Sequence, residues 1–318
     1  GSGTIKPDLH DFAVEDTSAI TKIFLADKTG QTVVLERKST AEWMVNKDHK
    51  ARKDAVDVLL KTIKRVEMKA PVANSAHDNI VKLMAGKSTK VEIYQGDKKV
   101  KTYYVSDATK DNMGTYMLIE GSRTPFICHI PGFYGYLTSR YMVRPLEWRD
   151  TEIFAHTLPQ IAEVKVEFHQ EPERSFKITH SANRVVELFK LFPKEEKADK
   201  MDTTFVKRYL LGFRNVRFEG IQPYKPERID SIVNSPPYFT ISLTDMQGEN
   251  HSVTSYRLPA NPGAIDANDE PLLWDPDRMH GVIDGNENEI VLIQYFSFDR
   301  LTPPIASLQI DPKLRRDN

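Results

Sequence analysis

Ile20-Thr21-Lys22-Ile23-Phe24-Leu25-Ala26, then Asp27-Lys28-Thr29-Gly30, then Gln31-Thr32-Val33-Val34-Leu35-Glu36-Arg37: two apolar-rich arms flank a polar turn in this stretch. Its first arm alternates in part, with Ile20, Lys22, Phe24 and Ala26 on one side. A polar turn ending in glycine follows, and the second arm is rich in β-branched residues. Together these features predict an antiparallel hairpin. Glu42-Trp43-Met44-Val45 predicts a short third strand closed by Asn46. The period then changes. Val56, Leu59, Leu60, Ile63 and Val66 fall at helical intervals and predict a helix over 51–66 with one buried stripe, ended by Ala70-Pro71. Residues 91–94 and 100–105 flank Gln95-Gly96-Asp97 as a second hairpin, and residues 116–119 and 125–130 flank Glu120-Gly121-Ser122 as a third.

The second half repeats this order. Ile20 maps onto Ile161 and Leu35 onto Phe176, both at an offset of 141, and Trp43-Met44-Val45 falls near Val185-Val186-Glu187. Leu60, Ile63 and Val66 map onto Leu210, Phe213 and Val216 at 150, within a second predicted helix over 205–216. Gln95-Gly96 maps onto Gln247-Gly248, and Thr102 and Tyr104 map onto Thr254 and Tyr256, all at 152. Gly121 maps onto Gly285 and Leu137-Thr138 onto Leu301-Thr302 at 164, the last jump falling in the polar stretch 258–277. An offset constant within each block, with the blocks in the same order, predicts a duplication. The expected fold is α+β: two tandem copies of an antiparallel β-sheet plus helix unit, spanning 1–145 and 146–318, with the boundary inside 141–159. Each copy reads as a hairpin, a short strand, a helix and two more hairpins.

Composition narrows the function classes. Lys+Arg 44 against Asp+Glu 45 leaves no basic excess to neutralise a phosphate backbone, which argues against nucleic acid as a partner. No apolar run approaches the ~20 residues that span a bilayer. Cys128 is the only cysteine, so an internal disulfide and a CxxC motif are impossible. Gly1-Ser2-Gly3 reads as the remnant of a removed tag, so the lack of a leader says nothing about compartment.

Catalytic and cofactor motifs are hard to find. There is no HExxH, no GxxxxGK[ST], no GxGxxG and no GxSxG. None of the 9 histidines stands at i, i+4 from another, so no helix-borne metal pair is expected, and no cofactor. Cys128 and His129 are neighbours on a predicted strand and point to opposite faces, so Cys128 reads as a small buried residue rather than a nucleophile. Asp284-Gly285-Asn286-Glu287 reads as a hairpin turn rather than a calcium loop, and Asp266, Asp269, Asp275 and Asp277 as a solvated acidic insertion. One segment stands out. Phe133-Tyr134-Gly135-Tyr136-Leu137-Thr138-Ser139-Arg140-Tyr141, followed by Arg144 and Trp148, crowds aromatics with arginines. Such residues make good contact surfaces, because they combine rigid area with directional donors. Tyr134, Tyr136, Arg140, Tyr141, Arg144 and Trp148 are the candidate partner contacts. Sealing the junction between the two copies is the competing role, under which most of the rings are buried.

A family resemblance adds to this reading. Phe12-Ala13-Val14-Glu15-Asp16-Thr17 leads into Ile20-Thr21-Lys22-Ile23-Phe24-Leu25, then Leu35-Glu36-Arg37, Trp43-Met44-Val45-Asn46 and Ala51-Arg52-Lys53. This run, specific over 11–71, resembles the family known as domain of unknown function 4340, in the version found in Bacteroidota. Its members look like envelope proteins with one N-terminal hydrophobic anchor and an extracytoplasmic body. The resemblance implies a periplasmic domain tethered to a membrane through an anchor outside this chain, and it carries over no catalytic residue. The resulting expectation is a non-enzymatic protein-binding or scaffolding module of a transporter-associated or envelope machine. The alternative is a hydrolase or small-ligand binder using the groove between the two repeats.

Overall fold

The computed structural model describes residues 8–310. The chain divides into two compact units, Gly1–Asp150 and Thr151–Asn318. Residues 146–150, which sequence reading assigned to the second copy, stay with the first. The Asp150 N–H donates to Lys50 O at 2.8 Å, and Ala51 forms a bridge with Arg149.

The first unit runs β1 (Lys22–Asp27), β2 (Thr32–Arg37), β3 (Trp43–Val45), β4 (His49–Lys50), α1 (Lys53–Arg65), β5 (Glu67–Pro71), α2 (His77–Gly86), β6 (Thr89–Gln95), β7 (Lys98–Ala108), β8 (Thr115–Ile119), β9 (Phe126–His129) and α3 (Pro145–Trp148). The second runs β10 (Glu152–Phe154), β11 (Ile161–Phe168), β12 (Phe176–His180), β13 (Val186–Lys190), β14 (Glu196–Lys197), α4 (Thr203–Leu210), β15 (Val216–Arg217), β16 (Gly220–Gln222), α5 (Pro226–Val233), β17 (Phe239–Asp245), β18 (Asn250–Pro259), β19 (Trp274–Ile283), β20 (Ile290–Gln294) and α6 (Tyr295–Phe298). Among the described residues each unit holds one nine-stranded sheet. The orders are β4-β3-β2-β1-β6-β7-β8-β9-β5 and β14-β13-β12-β11-β17-β18-β19-β20-β16, with every neighbouring pair antiparallel. Strand for strand these are one topology. The chain is α+β, built from two copies of one antiparallel sheet-plus-helix unit.

Register refines the correspondence. Val91 pairs with Tyr103 and Ile241 with Val253, which sets both members of the second pair at an offset of 150 from the first. The expected 152 for this hairpin is therefore corrected by two. Likewise Ile23 pairs with Leu35 and Val164 with Ile178, so Leu35 corresponds to Ile178 at 143 rather than to Phe176. A slip of two residues keeps every side chain on its face, so hydrophobic pattern alone does not detect it. The helix offset of 150 stands: Val56 and Val206, Leu59 and Tyr209, Ile63 and Phe213, and Val66 and Val216 are buried in matching pairs.

Local chemistry accounts for these elements. In the β1–β2 turn Asp27 Oδ1 accepts from the Thr29 and Gln31 N–H groups at 2.9 and 3.1 Å, and Gly30 supplies φ +89°. The core face of β1 is Ile23 and Leu25, with Phe24 and Ala26 on the other side. Helix α1 lays Val56, Leu59 and Ile63 on that core. Helix α4 does the same with Val206, Tyr209 and Leu210, and the Asp202 carboxylate caps it by accepting from Phe205 N at 3.1 Å.

Among the elements that escaped the sequence reading, each unit has an edge strand, β5 or β16, beside the last hairpin, and a short helix, α2 or α5. In the second unit Ile229 of α5 forms a separate small core with Tyr256, Val282 and Ile290, while Val253, Met279 and Val291 of the same strands face α4. The alternation of strand side chains makes two cores from one sheet.

Candidate functional site

The aromatic–arginine segment is split by the fold. Trp148 is fully buried, its indole N–H donating to Met142 O at 2.7 Å, and Arg52 N closes the contact by donating to Trp148 O at 2.7 Å. Tyr141 is buried edge-on to Tyr103, their hydroxyls 3.0 Å apart. Both rings belong to the first unit's core and have no surface to offer a partner. This corrects their candidacy: the chain after β9 folds back over α1 and takes them inside. Arg144 is exposed.

Residues 133–136 go the other way. Tyr134 is 84% exposed, Tyr136 42% and Phe133 39%, so the expectation that most of these rings are buried does not hold here. The loop is nonetheless well defined. Phe133 N donates to Ile130 O at 3.0 Å after Gly132 at φ +83°. A side chain at Gly135 would place its Cβ 2.9 Å from the Phe133 ring, so glycine is what lets that ring fold back. Arg140 lies over the other side, its guanidinium 4.4 Å from the Phe133 centroid and its Nη1 donating to Thr62 Oγ1 at 2.9 Å. In the second unit, Phe298 and Leu301 are buried and Phe296 is 91% exposed.

Cys128 is fully buried in β9, and burial pushes its thiol far above the ordinary range. Asp284 and Gly285, at φ 51° and 71°, form the β19–β20 turn, and Asp284 Oδ1 accepts from Ser252 N. Asp266 and Asp275 spend their carboxylates on N–H groups of their own loop. A groove of about 500 Å³ along β11 carries Lys165, Glu167 and Glu195. Its carboxylates are matched by cations, Glu167 by Lys165 at 3.0 Å and Glu195 by Lys177.

One constellation was invisible to motif reading. His156 follows β10, Asp245 ends β17 and His251 lies on β18. Asp245 Oδ2 is 3.8 Å from His156 Nε2 and 3.5 Å from His251 Nε2, and the two imidazole centroids are 4.7 Å apart. Asp245 Oδ1 accepts from Gln247 and Glu249 N–H at 3.0 and 2.9 Å, the same turn chemistry as Asp27. Burial raises the Asp245 pKa, but those two N–H groups and His251 outweigh it and the net shift is downward. Burial, then His251, pushes His156 below its ordinary value. Two histidines and a carboxylate are donors suited to a divalent transition metal.

Fold and site together define a duplicated α+β chain that carries an exposed aromatic loop at 133–136 and a convergent histidine–aspartate cluster. The chain belongs to the DUF4340 family, a domain of unknown function, whose model matches residues 43–231. The match runs from β3 of the first unit to α5 of the second. No curated protein and no solved structure matches the chain. Among the described residues, no helix is long and apolar enough to cross a membrane.

Proposed function

We propose that this chain is the extracytoplasmic body of an anchored envelope protein, and that it captures a protein partner, without catalysis, through the loop 133–136. The observation that carries this reading is the exposure of Phe133, Tyr134 and Tyr136 on a loop whose backbone and Arg140 stack hold them in place. Three exposed aromatics within four residues offer large rigid area to a partner, and exposed apolar surface of this kind marks contact sites. A preformed loop loses little side-chain freedom on binding, so more of the contact energy appears as affinity. The envelope setting rests on the anchored character of proteins resembling this one. The paired carboxylates along the β11 groove agree with a binding role, since none is left as a free general base.

The test places a photo-crosslinking amino acid at position 134 of the anchored, full-length protein in its native cells. A parallel protein carries it at position 211, where Leu211 is 56% exposed. The proposal expects one discrete cross-linked protein from position 134 and none from 211, with the chain in the extracytoplasmic membrane fraction. Equal or absent cross-linking at both positions would refute it.

A further inference from the structure

We propose that His156, Asp245 and His251 of the second unit form a binding site for one divalent transition-metal ion of the zinc class. The three side chains come from three backbone segments, each pinned independently. His156 N donates to Phe213 O at 2.9 Å, Asp245 N donates to Glu249 O at 2.9 Å, and His251 pairs with Leu243 in the sheet. The ligand atoms all lie within 4.8 Å of one another. An ion about 2.1 Å from each of three tetrahedral ligands holds them about 3.4 Å apart, so side-chain torsions suffice to close the site.

The donor atoms point to a metal more than to a hydrogen-bonded cluster. Asp245 uses Oδ1 for its turn and leaves Oδ2 to the two imidazoles. His251 Nε2 is shut off from solvent and makes no hydrogen bond. Buried polar atoms are rarely left so. Mixed imidazole–carboxylate ligation suits zinc and excludes the all-oxygen shells of calcium and magnesium. The side chains of His156, Asp245 and His251 are 13%, 8% and 28% exposed, so the ligand set is largely withdrawn from solvent. Binding through His156 Nε2 places the ring proton on Nδ1, and the weak 3.3 Å contact from Ala155 N to Nδ1 is then given up.

The duplication supplies an internal control. Val14 N donates to Ile63 O where His156 N donates to Phe213 O, so Val14 is the counterpart of His156. Register makes Gln95 the counterpart of Asp245 and Lys101 that of His251, at the same offset as the helices. Lys101 there donates its ammonium to Asp11 O at 2.6 Å. The same topology is built with valine, glutamine and lysine. Folding therefore does not require ligand-type residues at these positions, and their joint presence in one copy calls for a local role.

The test titrates Zn²⁺ into the chelator-stripped chain at neutral pH by calorimetry, with Co²⁺ absorption reporting the ligand set. The expected result is one Zn²⁺ per chain, a higher melting temperature with Zn²⁺, and a Co²⁺ spectrum of mixed nitrogen and oxygen ligation. His156→Val and His251→Lys install the first unit's residues. Each should weaken Zn²⁺ binding at least about tenfold, while the melt in chelator stays cooperative. Absence of stoichiometric Zn²⁺ binding by the unmodified chain would overturn the proposal, as would undiminished affinity in both variants.

Discussion

Acid should loosen the second unit through His280. This residue lies on β19 and is 3% exposed, and its Nε2 is 2.9 Å from the Tyr224 hydroxyl. The Arg228 guanidinium sits 3.7 Å over the Tyr224 ring. Burial, then Arg228, lowers the His280 pKa from 6.5 to about 4. Because the folded pKa lies below the unfolded one, the unfolded chain binds the extra proton in the window between them. Stability is fully present above the unfolded value and is lost as pH falls toward the folded one. With 1.36 kcal/mol per pKa unit, the loss is about 2 kcal/mol by pH 5 and at most about 3 kcal/mol near pH 4. Urea unfolding followed by tryptophan fluorescence measures it. His280→Gln removes the titration while its amide oxygen can still accept from Tyr224. The stability gap between native chain and variant should therefore shift by about 2 kcal/mol between pH 7.5 and pH 5, against the native chain. Carboxylate titrations, common to both proteins, cancel. Parallel pH profiles for the two would refute the reasoning.

Trp148→Ala should cost about 3–5 kcal/mol in denaturant melts, the range for deleting a buried large aromatic. A loss under ~1 kcal/mol would mean that the ring is not in the core. Cys128 should resist a thiol reagent in the native chain and react promptly in denaturant, because both burial and the raised pKa withhold the thiolate. Labelling at equal rates in both conditions would contradict its placement.

Much of the fold was legible because turns and stripes carry their own chemistry. Asp27 and Gly30 announce the first hairpin, and Val56, Leu59 and Ile63 announce α1. Blocks of constant offset exposed the duplication, but strand periodicity hid slips of two residues at Leu35 and Tyr104. Helices α2 and α5 stayed hidden because each buries little, Met84 in one and Ile229 in the other, and a single anchor makes no stripe. Composition found the aromatic segment but not its division. The inward turn of Tyr141 and Trp148 depends on backbone contacts to α1 and its flank that no local pattern encodes. The histidine–aspartate cluster was missed because His156 lies far from Asp245 and His251 in sequence: sheet register brings Asp245 and His251 together, and the contact of His156 N with Phe213 O brings in the third. A signal existed all the same: aligned copies set His156, Asp245 and His251 against Val14, Gln95 and Lys101.

Paired variants distinguish a contact face at the loop 133–136 from a structural seal. Tyr134→Ser with Tyr136→Ser should leave the denaturant midpoint nearly unchanged, since both rings are exposed. The same change should weaken binding of the protein cross-linked from position 134 by roughly thirtyfold, or about 2 kcal/mol, as expected for contact hot spots. Unchanged affinity together with a lowered midpoint would assign these rings to the fold and contradict the account.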